Sequence, residues 1–155
     1  MKKATLLFVL TIILSASVFA ATIQVPGEFP TIQAGIDMAV VGDTILVAPG
    51  MYYESLSYGG KDVVVVSESG PEQTIIDGSD SLDTVVLFVH QESRAAVLEG
   101  FTIQNGIGIL KYPGVSDERF AGGICIRFNS SPTLRNLIVT NNSVPIYEHL
   151  NNAAG

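Results

Sequence analysis

The stretch that decides the fold occurs twice: residues 98–106 read LEGFTIQNG, and residues 134–142 read LRNLIVTNN. Both copies have an apolar residue at the first, fourth and sixth positions and Asn at the eighth. A looser third copy, KDVVVVSES, lies at residues 61–69, so the copies are 37 and 36 residues apart. A repeat of this period is typical of solenoids, in which each coil stacks on the preceding coil and presents the same positions to the core. The repeat therefore predicts an all-β protein, a parallel β-helix, rather than a sandwich or a barrel.

The spacing within each copy predicts a bend after its first residue. Leu98 and Phe101 are three positions apart, and strict alternation along one strand would place them on opposite faces. A bend at residues 99–100, with its counterpart at 135–136, would bring both side chains to the core. We therefore expect Leu98 to stack on Leu134.

The Asn at the eighth position predicts a second kind of stacking. Asn105 would lie beside Asn141, at a turn where a tight bend leaves backbone groups unpaired. A side-chain amide can donate to one coil and accept from the next, so we expect an Asn ladder between coils. The alternative is a polar binding surface at the same place.

The sequence after Gly42 consists of short runs of β-branched or apolar residues. Turn-forming segments such as PG at 49, SGPE at 69 and NSSP at 129 separate these runs. Before it, Thr31 is a plausible N-cap for a short amphipathic helix that ends at Gly42. The predicted strands cover residues 43–48, 53–58, 62–67, 74–77, 85–89, 96–104, 123–128 and 133–140, and the apolar face of the helix comprises Ile32, Ile36, Ala39 and Val40.

Residues 1–20, MKKATLLFVLTIILSASVFA, have the basic start, apolar run and small final residues of a secretory signal peptide. The apolar run is only about half of the ~20 residues that a membrane-spanning helix needs. We therefore expect bacterial-type export to the cell surface or the medium, cleavage after Ala20, and no membrane span in the mature chain. The predicted organisation is a signal peptide, an N-terminal segment with the capping helix at 21–41, and β-helix coils at 42–155.

Charge and cysteine content exclude several classes of function. The whole chain has a net charge of −7, and without its first 20 residues it keeps 15 acidic against 6 basic residues, a balance that repels phosphate backbones and argues against nucleic acid as a partner. Cys125 is the single cysteine, so an internal disulfide is excluded. Alternation with Ile124 and Ile126 makes Cys125 either an outward-facing thiol or a small core residue at a strand bend. Because no His or cationic cluster adjoins it in sequence, we expect a packing role rather than a nucleophile.

Four segments carry a resemblance to a known family: VPGEFPTIQAGIDMAVVGDTILVAPGMYYESL (25–56), GPEQTIIDGS (70–79), LEGFTIQNG (98–106) and GGICIRFNSSPTLRNLIVTNNS (122–143). They resemble the N-terminal portion of secreted right-handed parallel β-helix proteins of the pectin-lyase-like superfamily. The resemblance implies a right-handed helix of about three coils, with the short α-helix closing its N-terminal end.

The superfamily includes polysaccharide lyases that use calcium and a basic residue, and esterases and glycosidases that use paired carboxylates. The candidate metal ligands here are Asp77, Asp80 and Asp83, in a loop whose carboxylates suit calcium. The candidate catalytic residues are Arg127 and Arg135, which we expect to point outward, where a sugar acid would meet them. The plainer alternatives are a solvated turn for the acids and solubilising surface charges for the arginines.

Other features argue against complete catalytic machinery. The QDT segment and the following strand that characterise the esterases are absent, and His90 and His149 stand apart from any serine-acid arrangement. The sequence after residue 143, VPIYEHLNNAAG, contains neither a further coil nor a recognisable cap. We therefore expect a fragment of a longer protein with an open strand edge.

The sequence favours a secreted or cell-surface β-helix module that is structural or binds extracellular polysaccharide. One alternative is the N-terminal part of a polysaccharide lyase or pectin esterase acting on acidic polysaccharide. Another is an adhesin-like surface repeat protein. The sequence leaves the oligomeric state open.

Overall fold

The computed structural model describes residues 19–81, 83–108 and 120–144. Most of the predicted signal peptide and His149 lie outside these ranges. Within them, no helix is long and apolar enough to cross a membrane.

One helix and twelve short strands make up the described chain. In order they are β1 (Thr22–Val25), α1 (Ile32–Met38), β2 (Thr44–Val47), β3 (Gly50–Tyr53), β4 (Leu56–Ser57), β5 (Val64–Ser67), β6 (Thr74–Asp77), a 3₁₀ turn (Gly78–Asp80), β7 (Val86–Phe88), β8 (Val97–Glu99), β9 (Thr102–Gln104), β10 (Ile124–Ile126), β11 (Thr133–Arg135) and β12 (Ile138–Thr140).

The strands form three parallel sheets through which the chain passes in turn. The first sheet has the order β1-β2-β5-β8-β11, the second β3-β6-β9-β12, and the third β4-β7-β10. One passage of the chain through the sheets forms one coil. After the first strand of each sheet, every strand pairs in parallel with the strand from the preceding passage. The molecule is therefore a mostly β protein of stacked parallel sheets with a single helix among the described residues, consistent with a parallel β-solenoid.

The core consists of rows of side chains stacked along the solenoid. In the first sheet, Leu98 lies in register with Val65 on one side and Leu134 on the other. In the second sheet, Ile103 has the same relation to Ile76 and Val139. Burial of each such aliphatic side chain contributes about 1.5–3 kcal/mol. At the C-terminal end of the described stack the inward rows are more exposed: Leu134 by 37%, Ile126 by 44% and Val139 by 53%.

The bend predicted between Leu98 and Phe101 is confirmed. Both side chains are fully buried, and Gly100 between them has a φ of +84°, with Asn136 at +46° at the equivalent place. A left-handed residue reverses the alternation locally, and Gly and Asn are the residues that adopt it most readily.

The register of the third repeat copy was predicted wrongly. The sequence aligned Lys61 with Leu98, whereas Leu98 pairs with Val65. The turn at 68–73 between β5 and β6 is longer than the bend at 100–101 between β8 and β9. Because turn lengths vary from passage to passage, a single sequence period cannot describe the whole stack.

Helix α1 packs its apolar face against the first strands of the core. Ile32 and Ile36 are buried, and Gly35 packs so closely that a Cβ there would lie 3.2 Å from Ile45 and 3.3 Å from Val25. Thr31 is the N-cap, because its side chain accepts a hydrogen bond from the Ala34 amide at 3.1 Å.

The predicted C-terminal end of this helix was wrong. The helix ends at Met38 rather than at Gly42, and Ala39 is its C-cap in an extended conformation. Val40 therefore lies outside the apolar face and is exposed.

Charged side chains from the segments before and after β4 bind both ends of α1. The carboxylate of Glu54 accepts hydrogen bonds from the amides of Ile32 and Gln33, both at 2.9 Å. The ammonium of Lys61 donates to the carbonyl oxygens of Ile36 and Asp37 at 2.9 and 2.6 Å, and also to that of Ala39. A negative group at the N-terminus and a positive group at the C-terminus both complement the helix dipole.

A side-chain amide bridges two coils, but the bridge is not the predicted ladder of Asn105 on Asn141. Asn105 and Asn141 occupy left-handed backbone positions, with φ of +59° and +54°. The bridge itself is made by Asn142, whose side chain accepts from the Gly106 amide at 2.8 Å and donates to the Ile103 carbonyl oxygen at 3.0 Å. Asn105 instead donates to the carboxylate of Asp77.

A buried carboxylate connects three passages at another corner. Glu92 is 1% exposed, and it accepts hydrogen bonds from Gly60 N at 3.0 Å, His90 N at 2.9 Å and Ser130 Oγ at 2.7 Å. Desolvation, the largest single influence, raises the pKa of Glu92, but these hydrogen bonds together outweigh it and lower the pKa. His90 lies just beyond the end of β7, as predicted, and its backbone amide is one of the three donors to Glu92.

Candidate functional site

The outer face of the second sheet aligns four polar or aromatic side chains from four passages. The pairing register places Tyr53 beside Asp77, Asp77 beside Gln104, and Gln104 beside Thr140. We call this set the Tyr53 row. At a strand spacing of about 4.8 Å, its three intervals extend for about 14 Å along the stack.

Alternation along the strands explains why these side chains face outward. Tyr52 packs against the core in register with the fully buried Ile76. The next residue of each strand, Tyr53 or Asp77, must then lie on the opposite face. Tyr53 is 55% exposed, so its ring is open to solvent.

Asp77 is the charged centre of the row, although it is only 4% exposed. Its Oδ2 atom accepts hydrogen bonds from Gln104 Nε2 at 2.7 Å and from Asn105 Nδ2 at 2.8 Å, and Oδ1 accepts from the Ser79 amide at 2.9 Å. Desolvation is the largest influence on its pKa and raises it, but the hydrogen bonds from Gln104, Ser79 and Asn105 together lower the pKa of this carboxyl. Asp77 is therefore ionised at neutral pH.

The 3₁₀ turn at Gly78–Asp80 borders the row, because it packs against β3 and β9. Asp77 is its N-cap, and Asp80 at its end is exposed. Beside it, the hydroxyls of Ser55 and Ser81 are hydrogen-bonded at 2.5 Å. The turn therefore adds a second negative charge and two hydroxyl groups to the edge of the face.

The three predicted calcium ligands have different surroundings. Asp77 is held by the hydrogen bonds above, Asp80 is exposed, and Asp83 accepts a hydrogen bond from the Thr84 amide at 2.7 Å. Within the described ranges, no group of three or more His, Cys, Asp or Glu side chains is arranged to hold a metal ion.

The candidate arginines lie on other faces of the solenoid. Arg135 belongs to β11 of the first sheet, where its guanidinium lies 3.7 Å from the carboxylate of Glu99, with side chains 63% and 38% exposed. Arg127 follows β10 of the third sheet, and its guanidinium lies 5.1 Å from the ring centroid of Phe120 and 5.3 Å from that of Phe128. Neither arginine lies on the second sheet with Asp77, so the predicted acids and arginines do not form one cluster.

Cys125 is buried and free, as its predicted packing role requires. Burial is the main cause that raises the pKa of its thiol. A thiol with a raised pKa stays protonated at neutral pH and is a poor nucleophile.

The groups of the Tyr53 row suit ligand binding better than acid catalysis. General acid catalysis would need a carboxyl that carries a proton at working pH, and glycoside hydrolysis would need a second carboxyl opposite the first. Asp77 is instead ionised and occupied by hydrogen bonds. An exposed tyrosine ring beside amide and hydroxyl groups suits a ligand that has one apolar face and many hydroxyls.

Of this row, the sequence indicated Asp77 as a candidate metal ligand and, through the repeat, aligned Gln104 with Thr140 as outward positions; it did not indicate Tyr53. Tyr53 and Gln104 are 51 residues apart in the chain, and no local motif connects them. The signal that would have found them is the register, which could be obtained only by aligning the shifted repeat copy correctly.

Comparison with known proteins adds no relative: no family model, no curated protein and no solved structure matches this chain.

Proposed function

We propose that this chain is an extracellular β-helix module that binds polysaccharide through the Tyr53 row. The single observation that carries the proposal is the alignment of the exposed Tyr53 ring with Asp77, Gln104 and Thr140. A pyranose ring stacks its C–H face on an aromatic side chain and directs hydroxyls to neighbouring polar groups. A row along the stack suits a polymer, because a glycan chain advances by a comparable distance per sugar ring.

The proposal includes a right-handed solenoid of about three coils and membership of the pectin-lyase-like superfamily. Support for the hand is general: parallel strands joined by crossover connections are right-handed in about 98% of cases. Support for the superfamily is the helix that packs against the first strands of the core, together with the segments quoted above.

Export belongs to the same proposal, since an extracellular glycan requires an extracellular protein. The support is the layout of residues 1–20. Expression of the full chain in a bacterial host should give a processed protein outside the cytoplasm whose first residue is Ala21. An unprocessed chain that keeps Met1 and stays in the cytoplasm would exclude export by this segment.

Binding is tested with the purified chain and a panel of soluble polysaccharides, by affinity electrophoresis and calorimetry. Tyr53→Ala should weaken binding to the preferred glycan at least about tenfold, a typical loss for a central aromatic contact, and Tyr53→Phe should retain it because the ring remains. Val41→Ala is the matched control, because Val41 is an exposed apolar residue outside the second sheet. Unchanged binding by Tyr53→Ala would refute the proposed site.

The enzymatic alternative has a direct assay. The purified chain is incubated with acidic polysaccharide and calcium, and products are examined for unsaturated or de-esterified sugars. Turnover that disappears when Arg127 or Arg135 is substituted would refute the binding-module proposal and identify the chain as a lyase or an esterase.

A further inference from the structure

We propose that the Tyr53 row selects neutral polysaccharides and rejects polyuronates. This inference rests on the proposed function and adds the chemical class of the ligand.

The first support is the uncompensated charge in the row. The hydrogen-bond donors that hold the Asp77 carboxylate are two neutral side-chain amides and a backbone amide. Such donors stabilise the charge without cancelling it. Asp80 is a second, exposed carboxylate in the 3₁₀ turn that packs against β3 and β9. A uronate carboxylate approaching this face would therefore meet like charge.

The second support is the position of the cations within the described ranges. All Lys and Arg residues in the described ranges lie outside the second sheet. Lys61 is bound to carbonyl oxygens at the end of α1. Arg135 pairs with Glu99 on the first sheet. Arg127 follows the last strand of the third sheet and lies near the rings of Phe120 and Phe128. Arg94 precedes β8. Recognition of a sugar carboxylate uses Arg or Lys, and none of these four is placed for it at the row.

The third support is that the row supplies what a neutral sugar needs. Tyr53 offers a stacking surface. Gln104 has an amide oxygen and a second amide proton beyond its bond to Asp77, and Thr140 has a hydroxyl that both donates and accepts. These groups pair with sugar hydroxyls without any ionic contact, so binding should depend little on salt.

The experiment compares ligands of negative, neutral and positive charge. Oligogalacturonide and its fully methyl-esterified form, of equal length, are titrated calorimetrically into the purified chain, together with a neutral gluco-oligosaccharide and a cationic glucosamine oligomer. The esterified form should bind about tenfold or more tightly than the free acid at low salt. High salt should reduce that difference, because the repulsion is screened.

Variants separate the possible outcomes. Asp80→Asn removes an exposed charge outside the hydrogen-bond network of Asp77, and it should reduce the discrimination while leaving the affinity for the neutral ligand unchanged. Equal or tighter binding of the free acid, lost in Tyr53→Ala, would overturn this inference and leave the proposed function standing. Preferential, salt-sensitive binding of the glucosamine oligomer would also overturn it, because attraction by charge would then dominate. If Tyr53→Ala changes no binding, the proposed function fails and the inference fails with it.

Discussion

The side-chain amide of Gln33, on helix α1, pairs with the backbone of Ser57 at the exposed edge of the third sheet. The Ser57 amide donates to Gln33 Oε1 at 2.8 Å, and Gln33 Nε2 donates to the Ser57 carbonyl oxygen at 3.1 Å. β4 is the last strand of its sheet at this end. One glutamine side chain thus takes the place of a neighbouring strand, and an unpaired edge that would invite association is covered.

Replacing Gln33 should loosen this end of the solenoid. Gln33→Ala removes both hydrogen bonds to Ser57 and a third, from Gln33 Nε2 to the Asp37 carboxylate at 2.7 Å. It should lower the free energy of unfolding by about 1–3 kcal/mol, measured by urea denaturation. Gln73→Ala is the control, because Gln73 is an exposed glutamine in the turn before β6, and it should stay within about 0.5 kcal/mol of the parent. Equal stability of the two variants would contradict a capping role for Gln33.

Glu92 should make stability depend on pH. Its pKa is lower in the folded than in the unfolded chain, so its stabilising contribution is complete above the ordinary glutamate pKa of about 4.3 and is lost as pH falls through the folded value. Glu92→Gln should cost about 2–3 kcal/mol at neutral pH, because hydrogen bonds to a charged group are lost. The difference from the parent should shrink in urea denaturation at acidic pH.

A matched variant isolates this effect from other carboxylates. Glu72→Gln, at an exposed position, should change stability little at any pH. A stability difference between Glu92→Gln and the parent that stays constant from neutral to strongly acidic pH would show that the Glu92 carboxylate has no role as an ion.

Gly100 should accept asparagine better than a β-branched residue. Its φ of +84° lies in the left-handed region, and a Cβ there would lie 3.2 Å from the Ser67 Cβ. Gly100→Val should cost about 1–3 kcal/mol from backbone strain, and Gly100→Asn should cost less, since Asn136 already occupies the equivalent bend. Thermal unfolding of both variants measures the order, and a more stable Gly100→Val would refute the bend.

Phe101→Asp should abolish cooperative folding. Phe101 is fully buried, and an unpaired charge there costs several kcal/mol, a large share of the 5–15 kcal/mol by which a domain is stable. Val41→Asp introduces the same change at an exposed apolar residue and should leave the circular dichroism spectrum and the melting temperature nearly unchanged. A folded Phe101→Asp protein would refute the inward assignment of this row.

Periodic and local features of the chain were predictable. The stacking of Leu98 on Leu134, the bend at Gly100 and the Thr31 cap depend on residues within a few positions or on a clear repeat. Strand β3 was missed except for Tyr53, because Gly50 follows a proline and the pair was interpreted as a turn. The bridging amide was assigned to Asn141 rather than Asn142 because the repeat marks the left-handed position, not the side chain that reaches the neighbouring passage.

The sequence by itself determined most of the residues that face inward and most of the places where the chain turns, because alternation and turn chemistry are local properties. The tertiary structure decided which outward residues become neighbours. The repeat aligns Gln104 with Thr140, but only the pairing of successive strands places Tyr53 and Asp77 in the same row. That pairing depends on turns of unequal length and on hydrogen bonds between distant strands, which no single period in the sequence records.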